Sequence, residues 1–193
     1  MEHINHLIEQ LGLENNITLE DMPNIDLYMD QVIQLFESTF NSSKRDADDK
    51  VLTKTMINNY AKGKLLIPIK NKKYSKEHLI LISLIYQLKG ALSINDIKAT
   101  LDGINQKVEA KDLDLEYFYR SYLELFQNNA SRFKEDIKLR AVEAAEEVKK
   151  LDDHNADYLE KVLLVSSLVN ISNLYRRAAE RLVDEIVLAK KEE

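Results

Sequence analysis

Residues 53–97 read TKTMINNYAKGKLLIPIKNKKYSKEHLILISLIYQLKGALSINDI, and the order of signals in this stretch decides the fold. Thr53 is placed as the N-cap of KTMINNYAK, a helix of about ten residues that Gly63 stops, with Ile57 and either Tyr60 or Ala61 facing inward. LLIPI, KNKK and Tyr74 then give two short extended pieces around a polar turn, a small β-wing in which Pro68 stands where no ladder donor is needed. Ser75 caps KEHLILISLIYQLK, which is apolar nearly all round and ends at Gly90; such a helix is central and buried. Ser93, with Asp96 three residues on, opens INDIKATL as a capping box, and Gly103 is the predicted close of that helix.

Helical signals continue on both sides. Ile4, Leu7, Ile8 and Leu11 mark a short docking helix that Gly12 can terminate. After Pro23, Asp26 is the expected N-cap for LYMDQVIQLFESTF, with Met29, Val32, Ile33, Phe36 and Phe40 on one face, and NSSKRDADDK (41–50) is a loop without apolar pattern. Downstream, 114–151 reads as one long helix carrying Tyr117, Phe118, Tyr122, Phe126 and Phe133. DDHN breaks it, and a second helix over 156–190 places Leu159, Val162, Leu163, Val169, Leu174, Ala178, Leu182 and Ile186 in a stripe suited to a helical hairpin or a dimer seam. The expected architecture is mainly all-α with a small β-wing. It divides into a docking helix and linker (1–25), a central helix-and-wing domain (26–104) and a two-helix C-terminal region (114–193), of use in dimerisation or regulation.

Composition narrows the chemistry. The 193 residues are 45% apolar, enough to bury a core without staples, and include no Cys, no Trp, four Gly and two Pro. Zero Cys excludes a disulfide framework, a thiolate zinc site and a Cys nucleophile. No run of about 18 uncharged apolar residues exists and the start, MEHINHLIEQ, lacks the basic region of a signal peptide, so a cytoplasmic protein off the membrane is expected. No nucleophile elbow, P-loop, HExxH or paired-carboxylate signature is present, so the expectation is a protein that is not an enzyme and holds no cofactor. His3, His6 and Glu9 share a helix face but lack the support a metal ligand needs, and His78 and His154 have no local partner. The aromatics at 117–133 fit core packing better than a ligand cavity.

Charge supplies the functional signal. The net charge is −6, yet residues 1–49 hold 11 acids against two bases, whereas 50–78 hold eight Lys against the single acid Glu77. That gives +7 over the stretch containing the short helix and the wing, and affinity for phosphates follows local lysine density rather than the whole-chain balance.

The same stretch resembles the MerR-type winged helix-turn-helix regulators: Thr53 caps a helix ending in Tyr60, then come Gly63, Leu65, Leu66 and Pro68, a basic wing closing on Lys72, Lys73 and Tyr74, the cap Ser75, and Leu88 to Gly90 followed by Leu92, Ser93, Ile94, Asp96 and Ile97. A closer resemblance is to domain-of-unknown-function family 1836, whose phrases stand here as DLYMDQV (26–32), TKTMINNY (53–60), KLLIP (64–68), KKYS (72–75) and LSINDI (92–97). The MerR resemblance implies a DNA-binding transcriptional regulator acting as a homodimer on double-stranded DNA, with an unidentified small-molecule effector left open. Asn58 and Asn59 stand where that family carries an arginine and a tyrosine, and asparagine suits an adenine edge. The predicted contacts are Lys54, Thr55, Asn58 and Asn59 in the major groove, with Tyr60, Lys62, Lys64, Lys70, Lys72 and Lys73 on phosphates. The competing expectation is a helical interaction module whose basic segment docks an acidic partner or the chain's own acidic N-terminal region.

Overall fold

The computed structural model describes residues 2–192, of which most are helical, in the order α1 (Glu2–Gln10), β1 (Leu27–Tyr28), α2 (Met29–Phe40), α3 (Lys54–Lys62), β2 (Lys73–Tyr74), α4 (Lys76–Leu88), α5 (Ile94–Ala110), α6 (Leu115–Lys149) and α7 (Ala156–Glu192). Helix α4 is the hub. Its residues Leu79, Ile80, Leu81, Ile82 and Ile85 are all fully buried, and the hydroxyl of Ser83 between them donates back to Leu79 O at 2.9 Å, so no polar group in its middle is orphaned.

Around it packs one contiguous core. Phe36 and Phe40 of α2 meet Tyr86, with the Phe40 and Tyr86 ring centroids 4.4 Å apart. Ile57 and Tyr60 of α3, Leu65, Ile97 and Leu101 of α5, and Leu115 and Tyr119 of α6 close the other sides. The core also draws in Ile17, Leu19 and Met22, and the Tyr119 hydroxyl donates to Ile17 O at 2.7 Å, tying α6 to the segment that follows α1. A smaller cluster of Ile4, Ile137 and Ala141, with Leu164 and Leu168 against it, joins α1 to the α6–α7 hairpin.

Local signals account for most element ends. The Thr53 side chain accepts the Met56 N–H at 3.2 Å, and Ser93 and Asp96 satisfy each other's backbone N–H groups. Asp114 caps α6 by accepting from Tyr117 N at 3.0 Å.

Several expectations are corrected. Asp26 is not the cap of α2; the backbone stays extended through Tyr28 because Leu27 and Tyr28 pair antiparallel with Tyr74 and Lys73, and the Tyr28 N–H is taken by Gln31 Oε1 at 2.8 Å. The wing therefore is not a two-armed hairpin built from 65–74. Its own arms share only the Lys70–Lys73 bridge, closed by Asn71 and Lys72 at φ 52° and 56°, the geometry of a two-residue primed turn. Leu65 and Leu66 turn into the core instead of lying in a strand. Helix α5 does not close at Gly103 but runs to Ala110, where Lys111 takes φ 62°. One interior glycine costs about 1 kcal/mol, less than is gained by packing Ile104 and Val108 on the core. The α7 stripe suited to a hairpin or a dimer seam is largely exposed in the single chain: Leu164 and Leu168 meet the neighbouring helices and Val183 is buried, while Val162, Leu163, Val169, Leu174 and Leu182 face outward. The hairpin of α6 and α7 forms within one chain.

Candidate nucleic-acid interface

Helix α3 is amphipathic in the simplest way: Ile57 and Tyr60 point into the core, which leaves Lys54, Thr55, Asn58, Asn59 and Lys62 exposed as two adjacent rows at helical spacing. Neither asparagine is engaged by another side chain, so both amides present free donors and acceptors. Lys54 is the exception to an unopposed row, because its ammonium pairs with Asp30 of α2 at 2.7 Å; both partners are largely exposed, and such a pair is weak and readily exchanged.

The helix ends on a stop that differs in detail from the expected one. Gly63 is the C-cap in a right-handed conformation, and a β-carbon there would lie 2.7 Å from Leu65 Cδ1 and 3.1 Å from Asn59 O, so close packing demands the glycine. The left-handed residue is Lys64, at φ 57°, which swings the chain so that the Leu65 N–H reaches Tyr60 O at 2.9 Å while the Lys64 side chain stays exposed.

The wing is anchored at its base and bare at its tip. Asn105 of α5, buried, donates to Leu65 O at 3.0 Å, and His78 of α4 donates from Nε2 to Ile67 O at 3.3 Å. The same imidazole accepts the Ser75 N–H at Nδ1 (3.1 Å), which defines the neutral tautomer and lets one residue join wing and helix start. Burial holds the His78 pKa below its ordinary value, against the opposing pull of the Ile67 carbonyl and of Glu77 and Asp26. At the tip, Lys70 and Lys72 are exposed and carry no ion pair among the described residues. Lys73 is half-buried, its ammonium 5.5 Å from the ring centroid of Tyr28 on β1.

Of the ten residues expected at the interface, nine lie at the surface of α3 and the wing, and Tyr60 does not. Its ring is 5% exposed, and desolvation raises the hydroxyl pKa, so Tyr60 holds α3 to the core rather than facing a phosphate. Tyr74 is buried beneath the wing, edge-on to His78. The sequence gives no sign of Tyr28, which reaches the wing through strand pairing, nor of Asp30 beside Lys54. Lys76, counted in the basic stretch, is paired with Glu116 at 3.0 Å and contributes little free charge.

The comparison with known families falls on this unit. A family described as a domain of unknown function (DUF1836) matches residues 17–122. The chain belongs to that family. The match starts at Ile17 and ends at Tyr122, the same span over which the larger core runs from Ile17 to Tyr119, so the DUF1836 unit is α2–α5 together with the segment before it and the first turns of α6. No curated protein and no solved structure matches the chain. Among the described residues, no group of side chains has metal-ligand geometry and no helix is long and apolar enough to cross a membrane.

Proposed function

We propose that this DUF1836 protein is a sequence-specific DNA-binding transcriptional regulator with a MerR-like winged helix-turn-helix head, in which α3 enters the major groove and the wing lies on the backbone. The observation that carries the reading is the exposed row Lys54, Thr55, Asn58, Asn59 and Lys62, followed in the chain by Lys64 and by a wing tip bearing Lys70, Lys72 and Lys73, with no acid among residues 50–76. In this reading Asn58 and Asn59 recognise base edges, adenine best of all, and the lysines neutralise phosphates. The exposed α7 residues Val162, Val165 and Val169 support a homodimer, the arrangement that would set two heads on a palindromic site.

Binding of the full chain to genomic duplex fragments tests this. Affinity is expected to fall steeply from low to moderate salt, and Lys72→Glu with Lys73→Glu is expected to weaken it and to reduce the salt slope by about two. Absent or salt-independent binding would sink the proposal. The Lys54–Asp30 and Lys76–Glu116 pairs favour a second reading, in which the basic segment serves an acidic protein partner. A purified protein free of nucleic acid, with a protein-like 260/280 absorbance ratio, that also ignores DNA would select it.

A further inference from the structure

We propose that the open cleft between the segment after α1 (11–15), α2, α4 and α6 binds an amphipathic organic anion, with its apolar body among aromatic rings and its acidic head on Lys89. The apolar half is an open cavity of ≈ 380 Å³ whose walls include Leu11, Phe40, Tyr86, Phe126 and Phe133, with Asn15, Ser43, Gln87 and Asn129 as its polar points. That volume and lining are those of a small-molecule site. It adjoins, through the shared residues Ser43 and Tyr86, a second cleft of ≈ 350 Å³ lined by Lys44, Arg45, Lys50 and Lys89 against the single acid Asp49. Aromatic surface thus runs directly into a basic rim.

Lys89 is the informative residue. Its half-buried ammonium lies 4.3 Å from the Tyr86 ring centroid and donates to Val51 O at 3.0 Å, and it makes no ion pair among the described residues. An ammonium has three donors, and here one neutral carbonyl and a ring face are its partners. Lys44, by contrast, is already matched by Glu37. Burial lowers the Lys89 pKa, and an acidic group seated beside it removes that penalty. The ligand class follows: one carboxylate or sulfonate on an aromatic or aliphatic body that fills the cavity.

The site also touches the start of α3. Val51 is buried two residues before the cap Thr53, its carbonyl held by Lys89 and its N–H by Glu37 at 3.3 Å. An anion that draws Lys89 away releases Val51 O and shifts the entry to α3, which makes the cleft an effector site if the DNA-binding reading holds. The ligand test below uses no DNA, so the two readings fail separately.

Titration of the full chain with 1-anilinonaphthalene-8-sulfonate, followed by fluorescence, is expected to give one saturable site from which decanoate displaces the dye. Lys89→Met is expected to weaken dye binding at least tenfold, and Ala130→Trp, which fills the apolar half, to abolish it. The double variant Val165→Ser with Val169→Ser, on the exposed face of α7, is expected to bind as the parent does. Lys89→Met binding within twofold of the parent, or a response lost only in the α7 variant, overturns the proposal; far-ultraviolet circular dichroism certifies that Ala130→Trp is folded, and Lys89→Met decides alone if it is not.

Discussion

Helices α4 and α7 are both rich in aliphatic side chains, and the molecule uses them in opposite ways. In α4, Leu79 to Ile82 are completely buried, enclosed on every side by α2, α3, α5 and α6. In α7, Val183 is buried, while Val165 and Val169 remain 60% and 54% exposed. The difference is one of partners rather than composition. Helix α4 lies at the centre of the DUF1836 unit, where several elements converge on it; α7 lies along α6 and the first half of α5 and has one side to bury. Hydrophobic stabilisation scales with area removed from water, so the first helix carries the stability of the fold and the second leaves much of its apolar surface in water.

The comparison is tested most severely at α4. Ile82→Ala is expected to lose about 3 kcal/mol, as a buried aliphatic truncated in a site that cannot collapse, read as a fall in the urea midpoint at constant slope. A loss under about 1 kcal/mol would mean that the packing round α4 is loose. The next effect belongs to the contact that joins α5 to the wing. Asn105→Ala removes the side-chain donor to Leu65 O, at a cost of about 1–2 kcal/mol, partly offset because the Asn105 Oδ1 is itself buried without a partner among the described residues. Hydrogen exchange at residues 65–69 is expected to rise more than exchange in α4.

These two sites also show what a sequence can and cannot disclose. Capping is local, so Thr53 and Ser93 announce α3 and α5 from three-residue signatures, and the all-round apolar run 79–85 announces a buried helix. The exposed row on α3 is equally legible, because a single period of 3.6 fixes which residues share a face. Long-range events are not. Strand β1 has two residues and no alternation to read, and pairs with a partner more than 40 positions away. Tyr60 carries a polar hydroxyl that suits a phosphate contact, and only the placement of α3 against the core decides its burial. Gly103 looks like a stop because the packing that carries α5 through it comes from elsewhere. In α7 apolar residues occur on more than one face, so periodicity cannot say which face meets α6.

A smaller effect probes the link between α4 and the wing through pH. The folded-state pKa of His78 is depressed, so above about pH 6.5 the residue is neutral in both states and its contribution to stability is fully present. As pH falls below that value the unfolded chain takes up a proton that the folded imidazole resists, and stability is lost until the folded pKa is reached. The loss is expected between pH 7.5 and 5.5, seen as a falling melting temperature. His78→Gln keeps an acceptor for the Ser75 N–H and has nothing to titrate, so its melting temperature is expected to vary less over the same range. An unchanged pH slope would show that carboxylates, not His78, control it.

The smallest effect is expected where the apolar residues are most numerous on the surface. Val165→Ser with Val169→Ser is expected to change the unfolding free energy of dilute protein by less than about 0.5 kcal/mol, since both residues stay more than half exposed when one chain folds. The informative variable is concentration. If α7 closes a homodimer, the parent melts at higher temperature as protein concentration rises, because association adds stability by mass action, and the double variant loses that dependence along with its dimer in sedimentation equilibrium. A parent protein whose melting temperature and mass are independent of concentration removes the homodimer and leaves α7 as a face for a different partner. A double variant that is destabilised at every dilution removes the contrast itself, for it would place Val165 and Val169 in the interior beside α4 rather than outside it.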